Sequence, residues 1–235
     1  TRQVVGSAAA PQSLRDRSTH PTKLQSMTFA VVPAAGQSTR MGRPKLSLRL
    51  GDRTVLEHVV AALRAGGVDH VVVVIGPHVS DLALPATLAG ADVHLLPEQT
   101  PDMRTTVERG LLWLEEQYRP RPDDFWLLAP ADHPMLNPAV VRQLLETGTG
   151  DRSIVVPVHG GRRGHPTLIG WRHVAGIRSL RPGVGINAYI LDHNVFEVPV
   201  TDPSVLADLD TPEDWARIRA AAEGSPLPRS GREGE

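Results

Sequence analysis

The chain reads as an α/β fold in which a mostly parallel central sheet carries helices on both faces, a three-layer α/β/α arrangement. Three observations predict it. Short apolar runs alternate with helix-period patterns from Phe29 to Ala222, the order expected of strand-helix-strand crossovers. The runs are continuously apolar, as in Phe29-Ala-Val-Val-Pro33 and His70-Val-Val-Val-Val-Ile75, which suits strands covered on both sides. A length of 235 residues allows a sizeable core in one large domain or two small ones.

Taken in order, residues 1–26 mix Ser, Thr, Ala, Pro and Gln without apolar period and set four basic residues (Arg2, Arg15, Arg17, Lys23) against one acid, Asp16. A disordered extension is expected there, followed by one domain over 27–223. Strands are expected at Phe29–Pro33, His70–Ile75, Asp92–Leu96, Phe125–Ala129, Ser153–Val158, Thr167–Trp171 and Phe196–Val200. Helices are expected at Val55–Ala65, Met103–Tyr118, Pro138–Thr147 and Pro212–Ala222. In Met103–Tyr118 the spacing puts Val107, Leu111 and Leu114 on one side, as in a helix lying on a sheet. The last helix opens with Thr211 as N-cap, Pro212 in the first turn and Asp214 three residues on. Strands after about residue 150 carry more glycine and turn residues, so a partly antiparallel acceptor-binding part is expected over about 151–200. Residues 224–235, with two prolines and three glycines, read as a flexible tail.

Composition excludes several classes of function. Lysine and arginine total 25 against 26 acids, a net charge of −1, which argues against a nucleic-acid-binding surface. The absence of cysteine removes disulfides, thiolate nucleophiles, Cys-type zinc sites and iron–sulfur clusters, so any metal must be held by oxygen or imidazole. No apolar run approaches the ~18–20 residues needed to span a bilayer and no charged-then-apolar leader opens the sequence, so a cytoplasmic location without membrane partners is expected.

The most informative stretch follows the first strand: Ala34-Ala35-Gly36-Gln37-Ser38-Thr39-Arg40-Met41-Gly42-Arg43-Pro44-Lys45. In an open α/β sheet the crevice beyond the first strand's carboxyl end is a ligand site, and small residues let backbone N–H groups close on an anion. Phosphate is the expected guest. Arg40 as a planar fork and Lys45 as a mobile point charge are spaced to bracket a triphosphate. The pattern is neither G-x-x-x-x-G-K-S/T nor G-x-G-x-x-G.

Asp132 follows the apolar run Phe125–Ala129, which puts it over the same crevice. Two like unit charges 4 Å apart repel by about 4 kcal/mol at an effective dielectric near 20, so a carboxylate facing a triphosphate calls for a cation between them, Mg²⁺ by its chemistry. Asn137, before Pro138, is the better helix cap, which leaves Asp132 for the metal. Asp208 and Asp210 flank Leu209, and in an extended segment both would face one way; capping the helix at Pro212 is the alternative for either. Gly160-Gly-Arg162-Arg163-Gly164-His165-Pro166 joins a flexible backbone to two guanidiniums, suited to an anionic acceptor. Gly183-Val-Gly185-Ile-Asn-Ala188 matches a dinucleotide fingerprint in letters only, because no strand precedes it; a turn opening a short helix Ile186–Leu191 is expected.

The segment Ala34–Lys45 resembles the signature A-A-G-x-S-x-R-M-G-x-P-K of nucleotidyltransferases related to MobA, and among them most the molybdenum cofactor cytidylyltransferases. Leu128-Ala-Pro-Ala-Asp132-His-Pro134, Gly164-His165-Pro166 and Asp208-Leu-Asp210-Thr-Pro-Glu-Asp214 support the likeness, which runs with interruptions to about Ala222. The resemblance implies a Rossmann-like sheet of the nucleotide-diphospho-sugar transferase type and transfer of CMP from CTP to the terminal phosphate of molybdopterin. It implies Arg40, Lys45 and Asp132 as catalytic residues, Ala34, Ala35, Gly36, Arg40, Lys45 and Thr106 around the nucleotide, and Mg²⁺ on Asp132 and Asp210. Arg162, Gly164, His165 and Pro166 fall to the acceptor. Ala35, where guanosine-using relatives carry glycine, favours CTP. Asp102 stands where the family has glycine, and Arg104 is open between phosphate and Glu108. A sugar or polyol phosphate as acceptor, or a non-catalytic nucleotide-binding module recognising a molybdoenzyme partner, are the alternatives.

Overall fold

The first strand, β1 (Thr28–Ala34), has parallel neighbours on both sides, and that position fixes where the site forms. The computed structural model describes residues 26–36, 41–42 and 44–224. The expectations for residues 1–25 and 225–235 lie outside it.

After β1 come a tight hairpin of β2 (Arg49–Leu50) and β3 (Arg53–Thr54), α1 (Val55–Ala65), β4 (His70–Ile75), α2 (Ala83–Leu88), β5 (Asp92–Leu95) and α3 (Met103–Tyr118). Then follow β6 (Phe125–Leu128), α4 (Pro138–Thr147), β7 (Ile154–His159), β8 (Arg162–Arg163), β9 (Thr167–Gly170), α5 (Val174–Arg178), α6 (Ile186–Leu191), β10 (Phe196–Pro199) and α7 (Pro212–Gly224). The described residues form an eight-stranded sheet in the order β10-β7-β9-β6-β1-β4-β5, with β8 paired to β7 outside that row. Along the row only β9 runs against the rest. The expected three layers are thus present, and the antiparallel element falls in the second half.

The chain steps from β1 to β4 and β5 on one side, then α3 carries it back to β6 on the other side of β1. Strand order therefore reverses at β1 and β6, and a crevice opens outside their carboxyl ends. Alternation along β1 divides the core. Ala30, Val32 and Ala34 pack with α1, α2, α4 and α7, while Phe29 and Val31 pack with α3, α5 and α6. Val72, Val73 and Val74 of β4 are fully buried, each contributing roughly 1.5–3 kcal/mol of hydrophobic stabilisation.

Helix starts follow local chemistry. Thr54 and Glu57 form a reciprocal capping box at α1, and Asn137 caps α4 ahead of Pro138. At α7 the Thr211 hydroxyl accepts from Asp214 N–H while the Asp214 carboxylate accepts from Thr211 N–H. These satisfy the orphan donors of the first turn and orient the segments entering the crevice.

Candidate active site

A cavity of about 450 Å³ opens at the crevice, walled by Ala34, Ala35 and Gly36 beyond β1, by residues 99–103 and Thr106 at the start of α3, and by Lys45, Asp132 and Asp210. Lys45 opens a 3-10 turn, Lys45–Ser47, anchored by buried Leu46. Its ammonium donates to Asp132 Oδ2 at 2.7 Å and to Asp210 Oδ1 at 2.9 Å. Three distant segments thereby meet at one nitrogen.

The backbone explains the convergence. β6 delivers the turn Pro130-Ala131-Asp132 over the crevice, and Asp132 C=O accepts from Leu209 N–H at 3.0 Å, which lays residues 208–210 alongside. Asp210 N–H in turn donates to the Asp214 carboxylate at 3.1 Å, tying the segment to the head of α7. Asp132 Oδ1 accepts from His133 Nδ1 at 3.1 Å.

Charge follows geometry. Burial alone would push the Asp132 carboxyl up, but the His133 hydrogen bond and the Lys45 ammonium outweigh it and hold the group well below the usual carboxylate range. Burial pulls the Lys45 ammonium down, while Asp132 and then Asp210 lift it above its ordinary value. Lys45 and Asp132 are thus both ionised at neutral pH.

The donor set suits a hard cation. Two carboxylates reach a single point, and Mg²⁺ is typically bound through one or two carboxylates, waters and substrate phosphates. Among the described residues no cluster of three or more His, Cys, Asp or Glu side chains forms a complete metal cage.

Residues 30–195 match the MobA-like NTP transferase domain. The chain belongs to this family. Among its curated relatives, the 2-C-methyl-D-erythritol 4-phosphate cytidylyltransferase of Stenotrophomonas maltophilia (strain R551-3) is 37% identical over 126 residues, covering 52% of this chain and 53% of that protein. The molybdenum cofactor guanylyltransferase of Rhizobium meliloti (strain 1021) is 29% identical over 150 residues, covering 60% and 62%. The chain therefore spans about half to three-fifths of the length of these relatives. Among solved structures, Rv0371c from Mycobacterium tuberculosis H37Rv is 26% identical with a TM-score of 0.71, over 83% of this chain and 99% of that one. A manganese complex of Rv0371c matches at 24% identity and a TM-score of 0.66, over 84% and 100%. The sheet is that of the nucleotide-diphospho-sugar transferase type.

In this MobA-like chain, Ala34, Ala35, Gly36, Lys45, Thr106, Asp132 and Asp210 share one cavity. Arg40 lies outside the described residues. Thr106 is almost fully buried, its hydroxyl 2.6 Å from that of Thr100 and bonded to Asp102 C=O at 3.2 Å. Residues 207–210 pair with no strand; Leu209 is buried between exposed Asp208 and half-buried Asp210, and of the two acids Asp210 lines the cavity.

Asp102, where a glycine was the family pattern, caps α3 through Thr105 N–H at 2.7 Å. Arg104 pairs with Glu108 at 3.3 Å, and its Nη1 also donates to the carbonyls of Leu180, Arg181 and Val184. It thus clasps the loop before α6, a role that sequence spacing does not reveal. Gly183, at φ +80°, shapes that loop, and α6 begins at Ile186 as expected.

The Gly164-His165-Pro166 turn stands behind Asp132 rather than in the cavity wall. Gly164 N–H donates to Pro157 C=O and His165 N–H to Val205 C=O, and the His165–Pro166 bond is cis. The His165 ring meets that of His133 edge-on, centroids 5.4 Å apart. Burial, and then the neighbouring His133, lower the His165 imidazole to about 4. Arg162 is exposed on β8, and Arg163 pairs with Glu197 at 2.7 Å. Among the described residues no helix is long and apolar enough to cross a membrane.

Proposed function

We propose that this chain is a nucleotidyltransferase that joins CMP from CTP to the terminal phosphate of a molybdopterin-type acceptor and releases pyrophosphate. The observation that carries the reading is the meeting of Lys45, Asp132 and Asp210 beside the small-residue bend after β1. Family membership supports nucleotidyl transfer, and Ala35 at the bend supports CTP. In the step, an oxygen of the acceptor phosphate bonds to the α-phosphorus. The bond from the α-phosphorus to the α,β-bridging oxygen breaks, and the electron pair leaves with pyrophosphate.

No side chain need form a covalent bond. The bend offers backbone N–H groups close to the phosphates, and the cavity walls hold the reactants in line, which removes much of the entropic barrier. A triphosphate entering the cavity offers the Lys45 ammonium new anionic partners. Asp132 and Asp210 are then the residues to hold Mg²⁺, which when bound neutralises phosphate oxygens and acts as a Lewis acid. A preorganised donor of this kind is commonly worth about 3 kcal/mol or more of transition-state stabilisation.

A polyol or sugar phosphate is the second reading of the acceptor. It is favoured by the 37% identity to the methylerythritol phosphate cytidylyltransferase and by the position of the Gly164–Pro166 turn outside the cavity wall. The test is a panel of the four nucleoside triphosphates with Mg²⁺ and either molybdopterin or 2-C-methylerythritol 4-phosphate, scored for pyrophosphate. CTP with molybdopterin should give the signal. GTP alone giving it would overturn the base assignment, and the polyol phosphate alone giving it would overturn the acceptor.

A further inference from the structure

His133 is nearly fully buried, 6% exposed, in a turn that carries a reactive-site carboxylate. Its Nδ1 stands 3.1 Å from Asp132 Oδ1 while Oδ2 faces Lys45. An ionised carboxylate only accepts hydrogen bonds, so Nδ1 must carry the proton that joins them. The two carboxylate oxygens thus have separate duties, one held by the imidazole and one turned to the cation position. A carboxylate held at only one point can rotate about its final bond, and a second fixed contact removes that freedom.

The imidazole is itself held. Its ring lies at 82° to that of His165, with centroids 5.4 Å apart. His165 is fixed by its N–H bond to Val205 C=O at 2.9 Å, and Gly164 leaves no room for a Cβ against the Val205 carbonyl. The Gly164–Pro166 turn is therefore a rigid backing to His133, and His133 to Asp132.

We propose that His133 is a positioning residue, which aims Asp132 Oδ2 at the site shared by Lys45 and the divalent cation. The proposal rests on Asp132 being a metal ligand, as in the function proposed above. Partners that orient metal-binding side chains typically cost about 10–100-fold in metal affinity when removed.

The experiment measures Mn²⁺ binding to the full chain, with and without CTP, by the electron paramagnetic resonance signal of free Mn²⁺. It compares wild type with His133→Asn, whose amide nitrogen takes the place of Nδ1, and with His133→Leu, which fills the space without a donor. Thermal melts report folding of each variant. The Asn variant should bind Mn²⁺ within about threefold of wild type and the Leu variant about 10–100-fold more weakly. If leucine prevents folding, His133→Gln, with its amide one bond farther out, should show the weaker binding in its place. Equal affinity in wild type and the donorless variant overturns the positioning role and leaves the transferase reading standing, as does an Asn variant as weak as Leu. A wild-type chain that binds no Mn²⁺ even with CTP overturns the metal assignment and the inference together.

Discussion

Lys45 Nζ lies 2.7 Å from Asp132 Oδ2, across 87 residues of sequence, and the same nitrogen meets Asp210 at 2.9 Å. One ammonium thus bridges two carboxyl groups at the cavity beside the small-residue bend. Replacing Lys45 by Ala should lower turnover by about 100-fold or more, in line with loss of a preorganised donor. The same variant removes the cation that competes for the carboxylates, so it should bind Mn²⁺ alone more tightly than wild type. Steady-state kinetics and a metal titration check the two halves.

The acidic pair around Leu209 splits by exposure. Asp210 lines the cavity and bonds Lys45, whereas Asp208 is exposed. Asp210→Asn should lower turnover by at least about tenfold, a second-carboxylate effect of more than 1.4 kcal/mol on the barrier. Asp208→Asn should leave turnover within about twofold of wild type. Equal losses in both variants would contradict the assignment.

Gly110 sits mid-way along α3, where alanine would ordinarily favour helix by about 1 kcal/mol. A methyl there would come within 2.7 Å of Val74 Cγ2 and 2.8 Å of Val31 Cγ1. Both valines are fully buried and stiff about χ1, so overpacking at about 1–3 kcal/mol should win. Gly110→Ala should therefore lower the thermal midpoint and, because α3 carries Thr106, weaken nucleotide binding in an equilibrium titration.

Acid should expose the His165 turn. Its imidazole ionises near 4 in the folded chain against 6.5 when unperturbed, because burial and then His133 disfavour the cation. Between those values the unfolded chain binds more protons, so this group's contribution to stability falls as pH is lowered from 6.5 towards 4. His165→Phe keeps an aromatic ring and removes the titration. Its thermal midpoint should decline less steeply than that of wild type across this window, and parallel curves would contradict the assignment.

Much of the fold was legible because local signals were strong. α1, α3 and α4 have the bounds expected from their apolar spacing and polar starts, and the seven expected strands form within one residue at either end. The β2–β3 hairpin, α2, β8 and α5 were not anticipated. Two-residue strands carry no measurable alternation, and α2 is six residues with Pro85 inside and Leu84 and Leu88 exposed. At the site, Asp132 could be read because it follows the β6 run, and Lys45 and Asp210 because the stretches that carry them resemble the family's motifs. The tertiary partners of His133 and Arg104 could not. Arg104 finds its carbonyls 76 to 80 residues away, and nothing near it in the chain signals that loop. His133 had one cue, a histidine next to the metal-candidate aspartate.

The most direct test follows the α-phosphate. CTP labelled at the α-phosphorus is incubated with the full chain, Mg²⁺ and molybdopterin, and acceptor label and pyrophosphate are counted together for wild type and Asp132→Ala. The account predicts one pyrophosphate per labelled acceptor in wild type, dependence on the metal, and a rate lower by about 100-fold or more in the variant. Label transfer at the wild-type rate in Asp132→Ala, or pyrophosphate release undiminished by removing the metal, would contradict it.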